Sequence, residues 1–426
     1  MVRRSYLGDM LQTLFERRST GPSATDDRSI DDMCLSLLDV QGEVSGIALA
    51  QSILDRYAAM DTAQQRAFFR FLNDGLEIDI RSLRQAIDQY ESTQDARHYR
   101  QIGGQAEPRR QELLRRLNQA PGATQALVNM RKDLIAAVKD DPDLARTDLD
   151  FQHLLRSWFN RGFLVMRQIS WETPASILEK ILEYEAVHEI RGWDDLRRRL
   201  YPEDRRCFAF FHPSMPDEPL IFVEVALTMK VPNSIHHVLS RHRAHRDAQD
   251  TKVAVFYSIS NCQAGLAGIS FGNLLIKQVA AELHQELPQL EYFVTLSPIP
   301  KLTQWMNAQN DRPEYASLLE ERPAADTVRA LACDYLLTAK DPAGRPFDPV
   351  ARFHLGNGAQ VHAVHADADL SQKGIEQSMG AMVNYQYDLS LIEQNHEKYV
   401  QDGEVCQSPT FKAQRAASTK KKRTPA

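Results

Sequence analysis

The apolar residues of this 426-residue chain change their spacing close to residue 170. Before that point they recur every three or four positions, which is the period of an amphipathic helix. After it, short apolar runs of strand type alternate with helical segments. A chain of this length also exceeds what a single hydrophobic core usually serves. The sequence therefore predicts an α+β protein of two domains, the first all-α and the second built around one sheet.

Residues 1–168 are predicted to form a bundle of helices with short connections. The segment that begins at Asp61 illustrates the pattern, because aspartate favours the N-cap position and Phe68, Phe69 and Leu72 follow at helical spacing. This region carries more apolar residues than one bundle needs to bury. We therefore expect it to act as an oligomerisation domain.

Four arginines of this helical region lie close together in the sequence, at Arg109, Arg110, Arg115 and Arg116. A solvated helix face is the simpler explanation for such a group. Contact with an acidic partner is the alternative interpretation.

Residues 169–406 are predicted to form a mixed α/β domain around one sheet. A helix beginning at Thr173 and Pro174 opens this region. Between the last two strand-like runs lies a long helical segment, so that strand, loop, helix and strand follow in the order of a crossover unit. The predicted strands occupy residues 206–212, 218–229, 252–260 and 292–297.

Residues 407–426 carry few apolar side chains and end in the basic sequence KKKRTPA. Such a composition cannot bury enough apolar surface to order a chain, so this segment is predicted to be a disordered basic tail.

Composition narrows the classes of function. A net charge of −6 argues against a general nucleic-acid binder, and the sequence has no apolar run of membrane-spanning length. The five cysteines are scattered without a CxxC pair, which is typical of reduced thiols. The N-terminal segment shows no uninterrupted apolar stretch of the kind found in export signals. We expect a cytoplasmic protein that binds neither nucleic acid nor membrane.

A glycine-rich loop, "NCQAGLAGISFGN", occupies residues 261–273 between a predicted strand and a helix. Glycines permit close backbone approach, and the free N–H groups at the start of a helix attract anions. The loop lacks both the GxGxxG and the GK[ST] fingerprints of nucleotide-binding loops. It is therefore either a set of ordinary tight turns or a phosphate site at the carboxyl end of a buried strand, where open α/β sheets usually bind ligands.

The next predicted strand ends in the sequence "FVTLSPIP", in which Ser297 is followed by Pro298 and Pro300. A serine at a strand end is most often a turn residue that is satisfied by nearby backbone. If the two strands are parallel, however, Ser297 and the glycine-rich loop lie at the same edge of the sheet. Ser297 is then a candidate to face the same crevice as the loop.

The strand, loop, helix and strand unit resembles the core of the GNAT acyl-CoA-dependent acetyltransferases. A wider set of motifs is similar to the malonyl-CoA decarboxylase family. These motifs span most of residues 170–390 in the same order, and the helical first half suits that family's N-terminal domain. They read "FFHPSMPDEPLIFVEVALT", "FYSISNCQAGLAGISFGNLLIKQV", "LSPIP", "ARFHLGNGA" and "MVNYQY".

The resemblance implies roles for particular residues. It implies that Ser297 is the active-site serine, that His354 is the catalytic histidine, and that Tyr387 lies near them. In animal members of the family a glutamate stands at the position of Ser270. The resemblance also implies a homotetramer. The segment that it implies for contact with coenzyme A comprises Ala267, Gly268, Ile269, Ser270, Phe271, Gly272 and Asn273.

The implied reaction converts malonyl-CoA to acetyl-CoA and CO2. Loss of CO2 leaves a carbanion that the thioester delocalises as an enolate, so neither a metal nor an organic cofactor is expected. The reaction needs an oriented carboxylate, a hydrogen-bond donor to the enolate oxygen and a proton for the α-carbon. Ser297 is expected to orient the carboxylate or relay a proton, and His354 is expected to protonate the enolate.

Other functions remain open on sequence grounds alone. One is an acyl-CoA-dependent acyltransferase on the same core, and another is a non-catalytic protein that binds acyl-CoA. A metal site in the histidine-rich segment "IHHVLSRHRAHR" is disfavoured, because no HExxH or CxxC motif accompanies it and its arginines repel cations. Those arginines are also suited to contact a ligand phosphate, with Arg243 as the residue to test.

Overall fold

The chain comprises two compact units, Met1–Leu154 and Leu155–Ala426. The computed structural model describes residues 27–40, 42–269, 275–309, 312, 314–320 and 323–421. Over this part of the chain, no helix is both long enough and apolar enough to cross a membrane.

The first unit is helical throughout its described residues, as the periodicity predicts. A π-helical turn, Phe71–Gly75, and a 3-10 turn, Pro142–Leu144, interrupt the α-helices. The α-helices are α1 (Ile30–Asp39), α2 (Glu43–Ala58), α3 (Thr62–Arg70), α4 (Ile80–Thr93), α5 (Ala96–Gln105), α6 (Arg109–Leu117), α7 (Ala123–Asp140) and α8 (Ala145–Trp158).

Local sequence signals account for the start of α3. The Asp61 side chain accepts a hydrogen bond from the backbone N–H of Gln64, and the Gln64 side chain in turn accepts one from the backbone N–H of Asp61. This reciprocal capping box satisfies two of the N–H groups that a helix start leaves unpaired. Phe68 and Phe69 of the same helix are buried, as their spacing predicts.

Two arginines of the α6 group, Arg110 and Arg116, differ from both interpretations offered from the sequence, whereas Arg109 is exposed as a solvated face predicts. The Arg110 guanidinium is buried and donates to the Asp150 carboxylate at 2.5 Å and to the Asn73 carbonyl at 3.1 Å. Arg116 donates to the Leu37 carbonyl at 2.6 Å. Charged groups are rarely buried unless they are paired in this way. These two arginines therefore join neighbouring segments inside the unit instead of forming a solvated face or a surface for a partner.

The second unit contains one eight-stranded sheet in the order β1-β2-β3-β4-β5-β8-β6, with β7 paired to β8. Adjacent strands are antiparallel except for the β4–β5 pair, which is parallel. The strands are β1 (Val165–Ile169), β2 (Arg205–His212), β3 (Met215–Thr228), β4 (Val253–Asn261), β5 (Tyr292–Thr295), β6 (Ser297–Pro298), β7 (Gln360–His365) and β8 (Met382–Gln386).

Helices cover this sheet and connect its strands. They are α9 (Ala175–Tyr184), α10 (Trp193–Leu200), α11 (Ile235–Leu239), α12 (Leu275–Glu286), α13 (Leu302–Asn307), α14 (Glu314–Glu320), α15 (Ala325–Thr338), α16 (Pro349–Gly356), α17 (Gln372–Ser378), α18 (Ile392–Asp402) and α19 (Pro409–Lys421). Short 3-10 turns occur at Arg161–Phe163, Ala248–Asp250 and Ala264–Leu266.

The parallel pairing of β4 with β5 confirms the predicted crossover. Val255 pairs with Val294 and Phe256 with Thr295, and the Leu296 N–H still donates to the Phe256 carbonyl at 3.0 Å. Parallel strands point the same way, so the loop after β4 and Ser297 after β5 leave the sheet at one edge. The α+β architecture predicted from the change in periodicity is therefore present, and the sheet brings the two candidate segments together.

The structure differs from the sequence prediction at both ends of the second unit. The last helix of the predicted bundle ends at Trp158, and β1 begins at Val165, within the predicted 1–168 region, because it pairs with β2. The tail predicted to be disordered contains α19 instead. Phe411 of that helix is fully buried, and the Gln414 side chain bonds both the N–H and the C=O of Val364. One buried aromatic ring and one amide order a segment whose composition is otherwise polar.

Candidate active site

Ser297 lies two residues after the end of β5, at the edge of the sheet that the loop after β4 also reaches. It pairs with Val383 of β8 through the short strand β6, and Pro298 and Pro300 follow it. Proline has no N–H to donate and so cannot continue a ladder of hydrogen bonds. The sequence "LSPIP" therefore limits β6 to Ser297 and Pro298, with Ser297 as its first residue.

His354 reaches Ser297 from a separate helix. Asp348 caps the start of α16 by accepting from the N–H groups of Val350 and Ala351. This cap and Pro349 in the first turn fix the beginning of the helix, and His354 follows in its last turn. The His354 Nε2 atom lies 3.0 Å from Ser297 Oγ, although 57 residues separate the two in sequence.

Two tyrosines of the β8 region complete the surroundings of the imidazole. The Tyr387 hydroxyl lies 2.8 Å from His354 Nδ1. The Tyr385 ring stacks on the imidazole with centroids 4.6 Å apart and an interplanar angle of 27°. Both imidazole nitrogens and one of its faces are thus held by named partners, which fixes the orientation of the ring.

Burial sets the charge of this group. Ser297 is 5% exposed, His354 3% and Tyr387 1%. Removal from water disfavours the charged form of an imidazole, and it lowers the pKa of His354 to about 3. The same effect raises the pKa of Tyr387 well above its ordinary value. At neutral pH the imidazole and the phenol are therefore both uncharged.

One tautomer of the neutral imidazole matches a hydrogen bond from the Ser297 hydroxyl to Thr295 Oγ1. The Ser297 hydroxyl donates to Thr295 Oγ1 at 2.8 Å, so Ser297 Oγ is left to accept from His354 Nε2–H. A neutral imidazole carries a proton on one nitrogen only, so Nδ1 accepts from the Tyr387 hydroxyl. The protons thus point in one direction, from Tyr387 through His354 to Ser297. In this arrangement Ser297 is a donor, and His354 Nε2 is not free to take its proton.

A cavity of about 800 Å³ opens onto Ser297 and His354. This volume lies in the range of ligand pockets in proteins. Apolar side chains and two arginines line its walls. Arg345 pairs with Asp341 at 2.9 Å, and Arg352 donates to the carbonyls of Pro346 and Phe347. The lining side chains include Phe256, Tyr257, Phe353, Arg345 and Arg352.

The glycine-rich loop reaches the same cavity. Gly268 lines it and has a φ of +75°, a conformation that suits glycine and favours close approach of the backbone. Ala267 is exposed and Ile269 is buried. The remaining predicted contacts of this loop, Ser270, Phe271, Gly272 and Asn273, lie outside the described residues.

The structure brings together Ser297, His354, Tyr387 and Gly268, and it adds residues that the sequence prediction missed. Thr295 and Tyr385 each stand two positions before a predicted site residue. Side chains two apart on a strand share a face, so this spacing was a usable signal for both. Arg345 and Arg352 gave no comparable signal, because only the folded chain places them beside the cavity.

The histidine-rich segment shows no arrangement suited to a metal. His236 Nε2 accepts from the Leu370 N–H at 2.7 Å, and Arg243 forms an ion pair with Asp204. Throughout the described ranges, no three His, Cys, Asp or Glu side chains are grouped to hold a metal ion.

Two family models match this chain. The model described as malonyl-CoA decarboxylase C-terminal domain matches residues 162–425, and the model described as malonyl-CoA decarboxylase N-terminal domain matches residues 76–159. Together they match nearly all of the second unit and the part of the first unit from residue 76 onward.

Individual relatives agree with the family models. The chain is 34% identical over 336 residues to the mitochondrial malonyl-CoA decarboxylase of Anser anser anser, an alignment that covers 69% of this chain and 66% of that protein. The alignment with the Mus musculus enzyme of the same name is 32% identical over 336 residues and covers 69% and 68%. These alignments thus span about two thirds of each relative.

Solved structures match over nearly their whole length. The malonyl-CoA decarboxylase of Rhodopseudomonas palustris is 48% identical with a TM-score of 0.86, and the match covers 91% of this chain and 98% of that one. The malonyl-CoA decarboxylase of Agrobacterium vitis is 47% identical with a TM-score of 0.85, and the match covers 91% and 99%.

Proposed function

The chain belongs to the malonyl-CoA decarboxylase family, and we propose that it converts malonyl-CoA to acetyl-CoA and CO2 with Ser297 and His354 as its reacting pair. The observation that carries this assignment is the 3.0 Å contact between Ser297 Oγ and His354 Nε2 at the wall of a ligand-sized cavity. The side chains of both residues bond to other members of the site, Ser297 Oγ to Thr295 Oγ1 and His354 Nδ1 to the Tyr387 hydroxyl.

The first step needs an oriented carboxylate and a donor for the developing enolate. The Ser297 hydroxyl points at Thr295 Oγ1 in the free protein, and rotation about its Cβ–Oγ bond redirects the proton to the substrate while Oγ stays beside His354. From there it donates to the malonyl carboxylate or to the thioester oxygen. Donors that are fixed in a buried site stabilise developing negative charge without reorganisation.

The second step needs one proton for the α-carbon. A malonyl carboxylate beside His354 places a negative charge next to the buried imidazole and raises its pKa from the value of about 3 in the free protein. The imidazole then takes a proton from solvent, with Tyr387 accepting from Nδ1–H. As CO2 leaves, Nε2–H passes to the α-carbon, directly or through Ser297 Oγ. One proton is consumed for each CO2 released, and the imidazole is left neutral with its proton on Nδ1, so that a tautomer exchange with solvent protons restores the resting Nε2–H form.

The substrate itself supplies the electron sink, so no cofactor enters the proposal. The thioester delocalises the charge that CO2 leaves behind. The backbone of the loop at Gly268 and the guanidinium groups of Arg345 and Arg352 are suited to the phosphates of the coenzyme A moiety, because both are donors directed at anions.

A direct assay tests this proposal. The purified chain, treated with a chelator and supplied with malonyl-CoA alone, should release CO2 and form an equal amount of acetyl-CoA. The measurement is trapped CO2 together with chromatography of the CoA esters. Product that forms only after an amine or another acyl acceptor is added would identify an acyltransferase instead. Saturable binding without turnover would identify a binding protein.

The helical unit carries the features of a self-association surface, and we propose a homotetramer. Helices α4 and α5 pack against each other as a hairpin, and within the described residues Ala86 is the only buried member of the two. Their apolar side chains remain in solvent, with Ile80 59%, Ile87 39% and Tyr99 66% exposed. A hairpin of this kind is only marginally stable unless a partner covers it.

Charged substitutions in this hairpin should break the assembly. The double variant Ile87→Glu, Tyr99→Glu is expected to elute at a lower molar mass than the wild-type protein in light scattering coupled to gel filtration. Lys132→Glu, an exposed position of α7, is the control and should keep the wild-type mass. Equal molar masses for all three proteins would show that the hairpin of α4 and α5 is not part of the interface.

We also propose that the protein is cytoplasmic. All five cysteines are free and buried, as expected in a reducing compartment. Fractionation of the source cells would test it, and recovery of the protein with an organelle would contradict it.

A further inference from the structure

Two smaller cavities lie away from Ser297 and His354. One has a volume of about 50 Å³ and the other about 210 Å³. Arg205, Val238 and Arg243 line both of them, so the two are adjacent. They form one pocket between helix α10, the start of β2 and the loop after α11, which we call the arginine pocket.

The arginine pocket lies at the opposite end of β4 from the glycine-rich loop. Thr228, which lines the pocket, pairs with Val253 at the beginning of β4. Asn261, which lines the large cavity, ends that strand and pairs with Ile221. Eight residue steps of an extended strand separate Val253 from Asn261, which is about 26 Å at 3.3 Å per residue. The arginine pocket is therefore distinct from the cavity at Ser297.

Cations outnumber anions around this pocket. The positive residues that line it are Arg198, Arg199, Arg205, Arg241, Arg243 and Arg246, and the acidic residues that line it are Asp195 and Asp204. Arg198 is paired with Asp195 at 2.8 Å, and Arg199 is paired with the buried Glu224 at 3.0 Å.

The other four arginines outnumber the carboxylates that are available to pair with them. Arg243 forms an ion pair with the Asp204 carboxylate, and Arg205 Nη1 lies 3.6 Å from Oδ1 of the same carboxylate. Arg241 and Arg246 are exposed and form no ion pair within the described residues. One carboxylate thus faces two guanidinium groups, with two further arginines at the rim.

One of the two buried arginines of this pocket, Arg199, has a donor without a partner in the described part of the chain, and the other, Arg205, bonds mainly to backbone carbonyls. Arg205 is 4% exposed, and its guanidinium donates to the backbone carbonyls of Asp204 and Val238. Burial, with repulsion from Arg243 as a lesser cause, lowers the pKa of Arg205. Arg199 Nε is buried and has no hydrogen-bond partner among the described residues. Buried cations in this condition favour an anion that brings both charge and acceptor oxygens.

We propose that the arginine pocket binds a phosphate group as a second ligand site, separate from the substrate. A tetrahedral dianion offers several acceptor oxygens, which match the planar donor array of guanidinium groups better than a single carboxylate does. The volume of about 210 Å³ admits a free phosphate or the phosphate end of a larger molecule. The proposal does not depend on the reaction assigned to the large cavity.

Inorganic phosphate is the probe for the test. Added to the full-length protein at constant ionic strength, it should raise the melting temperature and bind saturably in calorimetry. The double variant Arg241→Gln, Arg246→Gln removes only exposed rim charges and keeps the buried ion pairs, so it should fold normally. Its affinity for phosphate should fall by about tenfold or more, because two charged contacts are lost.

Arg191→Gln is the matched control, since Arg191 is an exposed arginine just before α10 and does not line the pocket. It should keep the wild-type phosphate affinity, and the double variant should keep the wild-type KM for malonyl-CoA. Equal phosphate responses in all three proteins, or no saturable response in any, would overturn the proposal. Competition between phosphate and coenzyme A, with a raised KM in the double variant, would assign the arginines to the substrate and overturn the claim of a separate site.

Discussion

Replacement of His354 by alanine should reduce the kcat for CO2 release by about 10³- to 10⁴-fold, while the affinity for malonyl-CoA changes little. The large loss is expected because the imidazole is the proposed donor of the proton that the α-carbon receives, and a positioned proton donor typically contributes up to about 10⁴-fold. The affinity should survive because most of the substrate's binding surface is its coenzyme A moiety. Steady-state CO2 release and calorimetric binding of malonyl-CoA to the inactive variant measure the two effects.

Three controls separate the loss of chemistry from a loss of structure. His354→Ala should retain the wild-type circular dichroism spectrum, although the cavity left by a buried ring lowers its melting temperature. His362→Ala, which removes a histidine of β7 bonded to Gln386, should keep the wild-type kcat. Tyr387→Phe removes only the partner of Nδ1 and should cost about tenfold. A wild-type kcat for His354→Ala would remove His354 from the site.

The main strands and the long helix of the catalytic unit could be predicted from the sequence because each has its own local pattern of apolar residues. Strand-like runs of apolar residues mark β2 to β5, and the long helix between β4 and β5 has its own period. The weaker strands β7 and β8 were not predicted. Their sequences, QVHAVH and MVNYQ, place His and Asn among the apolar residues, and these strands form by pairing with each other.

The contact between Ser297 and His354 depends on information that no local pattern contains. Their separation of 57 residues includes α13 to α16, and their meeting requires that the last turn of α16 lies beside β6. Local signals predict only the parts, such as the prolines after Ser297 and the Asp348 cap of α16. The resemblance to a family implied that Ser297 and His354 act together. The stacking of Tyr385 and the arginines of the cavity wall are evident only in the folded structure.

Replacement of Ser297 by alanine should lower kcat by about 10²- to 10³-fold, which is the usual cost of removing one fixed donor from a developing oxyanion. The variant loses the hydroxyl that we expect to turn from Thr295 Oγ1 to the substrate. The binding of malonyl-CoA should change by less than tenfold. Rapid-quench measurement of acetyl-CoA formation gives the rate of the chemical step. Thr295→Val provides the matched control, because it removes the resting partner of the Ser297 proton and leaves Ser297 itself in place. It also removes the acceptor of the Tyr385 N–H, so it should lower the melting temperature while it keeps kcat within about tenfold of wild type.

The direction of the protons separates this role for Ser297 from nucleophilic catalysis. A serine nucleophile needs a neighbouring base with a free lone pair, whereas in the tautomer that we propose His354 Nε2 carries a proton and donates it across the 3.0 Å contact to Ser297 Oγ. No acyl group should therefore become attached to Ser297 during turnover, and the intact mass of protein quenched in the steady state should equal that of the free protein. An acylated peptide that contains Ser297 in the wild-type protein, and is absent from Ser297→Ala, would reverse the assignment. His354 would then have to be the base, with its proton on Nδ1 and donated to Tyr387.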